Sequence, residues 1–356
     1  MIGNKYKYAL IDMSYVLSRN IYGVSVSRGP KNYTEGDVIK LTIQTLSKIT
    51  KDYDISADKF IFIYDKWDKN LGGYYRSSLI KELGGDYKGS RVFINDQYVV
   101  DLKNKYTEEF RNRTDVTNEE IEAAKKEIES AENKAYENKI KTNSKYIMIN
   151  ELGNFGVPCL GLDGWEYDDL AWLSACLLFS DSDPKPSVII TKDSDLTYSL
   201  TPKMDYFKIP TGGSTPKIIT YNEMYSQIPQ DLIEKGMTLY NYKSYLDSLG
   251  TGHNDMSKTM KPRKNVDQVI LNILNGNYDD LTDKDMFLKQ MSTFDLRKFP
   301  RLDEAKNMIW HQFNSVGKLG SIQDFKNLCN KYKIEGISDT YYNNFITRFD
   351  QTLYKG

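Results

Sequence analysis

The chain has 356 residues, 40% of them hydrophobic, with 48 basic and 49 acidic side chains and a formal net charge of −1. That length suits one large α/β core plus a smaller domain, and no run nears the about 18 apolar residues of a membrane span. Three scattered cysteines and two histidines argue against a disulfide framework, a thiolate zinc site, a His-rich metal centre or a Ser-His-Asp apparatus. The charge balance excludes a uniformly basic nucleic-acid binder. It does not exclude a protein that gathers carboxylates around metal ions and keeps its basic residues elsewhere.

Met1 to Lys5 leads into a strand-like segment, with no apolar signal core. Residues 7–12 form a short apolar run ending in Asp12, and 60–65 and 188–193 repeat the pattern, ending in Asp65 and Asp193. Runs of this kind mark strands buried on both faces of a parallel sheet. Helices are expected from Glu35 to Lys51 and from Asp168 to Phe179. The alternation predicts an α/β fold with a mostly parallel central sheet, its carboxylates at the carboxyl edge where open sheets place their active sites. Residues 86–146 are charged and poor in core residues. Within them Thr117-x-x-Glu120 is a capping box opening a helix to Ile140, with a thin seam of Ile121, Ala124, Ile128, Ala131 and Ala135. Such a stripe predicts a helix standing off the body. From residue 233 the pattern is helical, giving an expected division into 1–232 and a second, α-helical domain over 233–356.

The acids carry the chemistry. Glu166-Tyr167-Asp168-Asp169 puts three carboxylates in four residues at a helix start, and Asp193-Ser194-Asp195 puts two at a strand end. Capping and the helix dipole explain part of this. Gathering Asp12, Asp65, Glu166, Asp168, Asp193 and Asp195 at one edge costs several kcal/mol of repulsion unless cations neutralise them. Mg²⁺ or Mn²⁺, hard ions that take oxygen ligands, suit such a set, and two ions about 3.5–4 Å apart can clamp a phosphodiester in line.

The ordered blocks Ala9-Leu10-Ile11-Asp12, Ile63-Tyr64-Asp65, Gly164 to Asp169 and Thr191 to Leu196 resemble those of the 5′-nuclease superfamily. That superfamily includes flap endonucleases, the 5′-nuclease domain of bacterial DNA polymerase I and phage RNase H. Gly73-Tyr74-Tyr75-Arg76 and Tyr87-Lys88-Gly89-Ser90-Arg91 look most like the T-even-phage type, and the resemblance spans roughly residues 7–275. It implies Asp12, Asp65, Glu166, Asp168 and Asp193 around a first metal ion, with Asp195 reaching toward a second. It implies Lys88 and Arg91 as catalytic contacts to the scissile phosphate, with Tyr87 stacking on the neighbouring base and Arg76 also at the substrate. It makes 86–146 a helical arch that admits a 5′ single strand, and it implies a helix–three-turn–helix near Leu246 to Lys264. There Gly250 and Gly252 would let backbone amides approach a phosphate, and Lys258, Lys261, Arg263 and Lys264 would attract the duplex.

One departure stands out in that loop. The family reads Gly-Asp-x-x-Asp-Asn, whereas this chain has Thr251 at the first Asp and Asn254-Asp255 at the last two positions. Asp255 is the expected ligand, with Asn254 or Asp247 as substitutes, and the second ion is expected to bind more weakly. The resulting expectation is a metal-dependent 5′-3′ exonuclease or flap endonuclease, a monomer acting on DNA with a 5′ flap, nick or RNA primer, alongside replication proteins. It would work in the cytoplasm, that of the host if phage-encoded. Two rivals remain open: a catalytically impaired DNA-binding protein of the same fold, and a PIN-type ribonuclease, which would need neither the arch nor the helices after 233.

Overall fold

The computed structural model describes residues 5–53, 55, 57–82, 93–178, 185–209, 215–251, 258–294, 301–315 and 321–337. Its first unit is β1 (Tyr6–Asp12), α1 (Met13–Arg28), α2 (Glu35–Asp52) and β2 (Ala57–Ile63). Next come α3 (Tyr75–Glu82), α4 (Asp96–Arg111), α5 (Asn118–Leu152), β3 (Cys159–Leu160), α6 (Tyr167–Leu178) and β4 (Ser187–Thr191). A 3-10 turn over Ser194–Ser199 precedes β5 (Met204–Lys208), β6 (Lys217–Thr220), α7 (Tyr221–Tyr225) and α8 (Gln230–Glu234). The remainder is helical: α9 (Leu239–Ser248), α10 (Val266–Leu274), α11 (Lys284–Phe294), α12 (Leu302–Asn314) and α13 (Ile322–Lys331).

The strands form one sheet in the order β3-β2-β1-β4-β5-β6, parallel except where β6 runs against β5. This is the mostly parallel α/β sheet expected. Alternation along each strand feeds two cores. Ala9, Ile11, Phe60, Phe62, Val188 and Ile190 face one side, where α1, α2, α5 and α13 pack. Leu10, Ile61, Ile63 and Ile189 face the other, in a cluster that continues through Leu170, Ile270, Phe287 and Ile309. Period-two side chains on a doubly covered sheet are why these runs look continuously apolar in sequence. The chain moves from β1 outward to β2 and β3, then returns to add β4 on the opposite flank. The β1–β4 seam is therefore the switch point where such sheets open a crevice at their carboxyl ends.

The charged insertion opens as expected, with Thr117 and Glu120 exchanging cap hydrogen bonds. Val99 and Leu102 of α4 meet Ala131 and Ala135 of α5 in a small cluster of their own. Two features differ from the expectation. The helix runs past Ile140 to Leu152, and it lies on the body from Glu132 onward. Glu132 pairs with Lys31 at 2.7 Å, Tyr136 donates to the Tyr33 carbonyl, and Ile140 and Met148 enter the main core. The seam was too thin to show this, because polar pairs carry much of the contact. At the opposite flank, the side-chain amide of Gln312 on α12 accepts from the Gly161 N–H at 3.1 Å and donates to its carbonyl at 3.0 Å, just beyond β3.

Candidate active site

Each acid of the carboxyl edge is held by the element that ends or begins at it. Asp12 closes β1 and caps α1, accepting from the Tyr15 N–H at 2.8 Å and from the Thr191 hydroxyl at 3.0 Å. Asp65, just past β2, accepts from the Tyr167 N–H at 2.6 Å and from Ser14 at 3.3 Å, joining the first turns of α6 and α1. Glu166 is buried at the entry to α6. Asp193 follows β4 and caps the 3-10 turn, accepting from the Asp195 N–H at 3.0 Å. Burial, reinforced by the charge of Asp65, raises the Asp12 carboxyl to about 7 despite its two hydrogen bonds. Burial also lifts Asp168 well above the ordinary carboxylate range, helped by the charges of Asp193, Glu166 and Asp169.

Cations approach that edge from two directions. Lys141 and Lys145 of α5 face it: burial lowers both ammonium groups, while Asp65 opposes the shift in each and Asp12 opposes it in Lys141. Lys145 also donates to the Asp65 carbonyl at 3.4 Å. From the other side, α9 docks on the 3-10 turn, with Trp172 stacked on Tyr240 and Tyr198 tilted against Tyr242. Lys243 of α9 thereby lies 3.6 Å from Asp195 and 2.5 Å from Asp247.

No protein-family model matches the chain, and no curated protein matches it either. Among solved structures, the D15 protein of bacteriophage T5, co-crystallised with metal ions, is similar over 86% of this chain and 100% of its own, at 15% identity and a TM-score of 0.50. The T5 D15 protein is a flap endonuclease. The chain has the 5′-nuclease fold. Looser likenesses of this fold are the Rad2 catalytic core in complex with DNA substrate (12% identity, 97% of this chain, 93% of that one, TM-score 0.42) and human GEN1 in complex with Holliday junction DNA (10%, 98%, 72%, 0.41).

On the 5′-nuclease fold, Asp12, Asp65, Glu166, Asp168 and Asp193 end or begin elements of one sheet edge, and Asp195 adjoins them through Asp193. Arg76, expected at the substrate, is buried instead: it pairs with Asp169 and lies 5.4 Å from the Phe294 ring centroid. Gly250 ends α9 with φ +73, a conformation that suits glycine, and its N–H is taken by the Asp247 carbonyl. Lys258, Lys261, Arg263 and Lys264 are exposed between α9 and α10; Lys264 pairs with Asp280, and Lys261 donates to the Asp279 carbonyl. Tyr87, Lys88, Arg91, Gly252, Asn254 and Asp255 lie outside the described residues. Sequence reasoning missed Lys141, Lys145 and Lys243. The first two follow each other at helical spacing, a signal hidden in a segment where every lysine looked solvated.

The donor set at the β1–β4 seam is all oxygen, which suits a hard divalent cation. Among the described residues no three His, Cys, Asp or Glu side chains close into a finished cage, and Asp12, Asp65 and Asp193 each give an oxygen to a cap or loop hydrogen bond. By chemistry and charge these residues suit a divalent cation. At the neighbouring position the Lys243 ammonium lies between Asp195 and Asp247.

Proposed function

We propose that the protein is a divalent-metal-dependent 5′ nuclease that hydrolyses phosphodiesters near the 5′ ends of DNA strands, as a 5′-3′ exonuclease or flap endonuclease in replication or repair. The observation that carries this reading is a 5′-nuclease fold whose carboxyl sheet edge carries acids from β1, β2, β4 and α6, with Asp12 tied to β4 through the Thr191 hydroxyl and Asp65 tied to α6 through the Tyr167 N–H. Asp12, Asp65, Glu166, Asp168 and Asp193 would hold Mg²⁺ or Mn²⁺, which would supply a polarised phosphate and an activated water. Lys141 and Lys145 face Asp65 from α5, within reach of a phosphate seated above it, and their ammonium groups stabilise the negative charge that develops there. Lys88 and Arg91 share that role, and Tyr87 stacks on the base beside the cut. The basic loop at 258–264 holds the duplex backbone without reading its sequence. The insertion at 86–146 admits the 5′ single strand, and residues 233–356 supply the duplex-binding helices. Cleavage of 5′-labelled flap, nicked duplex and RNA–DNA substrates with Mg²⁺, Mn²⁺ or EDTA tests the reading. Metal-dependent products from the labelled 5′ side are expected, and none from any substrate would overturn it.

A further inference from the structure

We propose that the Lys243 ammonium takes the place of the second divalent cation, so that this chain works with one divalent ion and one built-in positive charge. The inference rests on the nuclease reading above and deepens it. Lys243 and Asp247 are one helical turn apart on α9, so their pairing at 2.5 Å is written into the register of the helix. Docking of α9 on the 3-10 turn then delivers the same ammonium to within 3.6 Å of Asp195. The lysine side chain is only 14% exposed and that of Asp247 only 7%, so the charge is enclosed by protein and held in place.

The rest of the surroundings agree. Thr251 offers no compensating charge, because its hydroxyl donates to the Leu246 carbonyl at 2.9 Å and closes the end of α9. Lys243 is ion-paired with both Asp195 and Asp247. A divalent ion brought against the same oxygens would meet the ammonium at close range. An ammonium does part of what a metal ion does: it donates hydrogen bonds to a phosphate oxygen and stabilises charge on the leaving side. It does not lower the pKa of a bound water, so water activation falls to the ion of the first site.

The test counts ions. Mn²⁺ binding to the full chain is followed by electron paramagnetic resonance and calorimetry, for the wild type and for Lys243→Gln and Lys243→Arg. The expected result is one Mn²⁺ per wild-type chain, two per Lys243→Gln chain under the same conditions, and one again for Lys243→Arg. Two ions on the wild type overturn the inference whether or not the variants fold, and so does an unchanged count in folded Lys243→Gln. The cleavage assay is separate. A wild type that binds one ion and cuts nothing overturns the nuclease reading and leaves the lysine assignment standing.

Discussion

Asp12 sits where a strand becomes a helix, and burial there works against its own charge. Its carboxyl is raised to about 7 by burial and by Asp65. For an acid raised in this way, the folded protein keeps a proton that the unfolded chain has released. Its contribution to stability is therefore largest below the ordinary value of 3.8 and is lost as the pH rises toward about 7. Metal-free protein is expected to lose melting temperature over that window. Asp12→Asn, which removes the buried charge and keeps the shape, should flatten the loss and melt higher at pH 8, by about 1–2 °C per kcal/mol relieved in a chain of this size. The same variant, and Asp193→Ala, should cut nothing while binding duplex within about threefold of wild type, because the duplex is held mainly elsewhere. Calorimetric melts across pH, paired with cleavage assays, check both halves. Near-normal turnover in either variant would remove these carboxylates from the centre.

On the long helix α5, Glu132 ties the insertion to the body by bonding residues of both. Glu132 accepts from Lys31 at 2.7 Å and from Lys103 at 2.6 Å, and these bonds lower its carboxyl to about 2. This is the ordinary case for an acid with partners: the stabilisation is present above about 4.5 and fades as the pH falls toward about 2. Glu132→Gln should speed amide exchange in α4 and in the first half of α5 at pH 7, with little change in β1 or β4. Equal exchange in the variant would show that the apolar seam alone seats the insertion. At the basic loop, neutralising Lys258, Lys261, Arg263 and Lys264 together should weaken unrelated duplexes alike. The slope of log affinity against log salt should flatten by up to about 0.9 for each phosphate that the loop ceases to neutralise, and an unaltered slope would place the duplex elsewhere. Burial decided what could be read in the sequence at this scale. Strands β1, β2 and β4 announced themselves because both faces are covered. The two-residue β3 and the half-exposed β6 lack such a run. The far half of α5 stayed hidden because its core residues Ile140 and Met148 are interspersed with polar ones, and polar side chains such as Tyr136 and Asn143 make further contacts. The acids were legible because chain order alone puts them at strand ends, whereas Lys243 belongs to the edge only through the docking of α9.

The C-terminal helices close the molecule on both faces of the sheet. Phe325 of α13 joins the first core, and Lys331 and Tyr332 both reach Glu151 at the end of α5. On the other face α12 adds Ile309 and Phe313 to the second core. The amide of Gln312 then fills the backbone donor and acceptor of Gly161, next to the shortest and outermost strand. An uncovered strand border is a template on which another copy of the chain can assemble. Gln312 thus serves as a stopper at that border, with solubility as its measurable outcome. Gln312→Leu keeps the bulk of the side chain and removes both bonds. It should leave the melting temperature within a few degrees of wild type and still make concentrated protein scatter light on gentle warming, where the wild type stays clear.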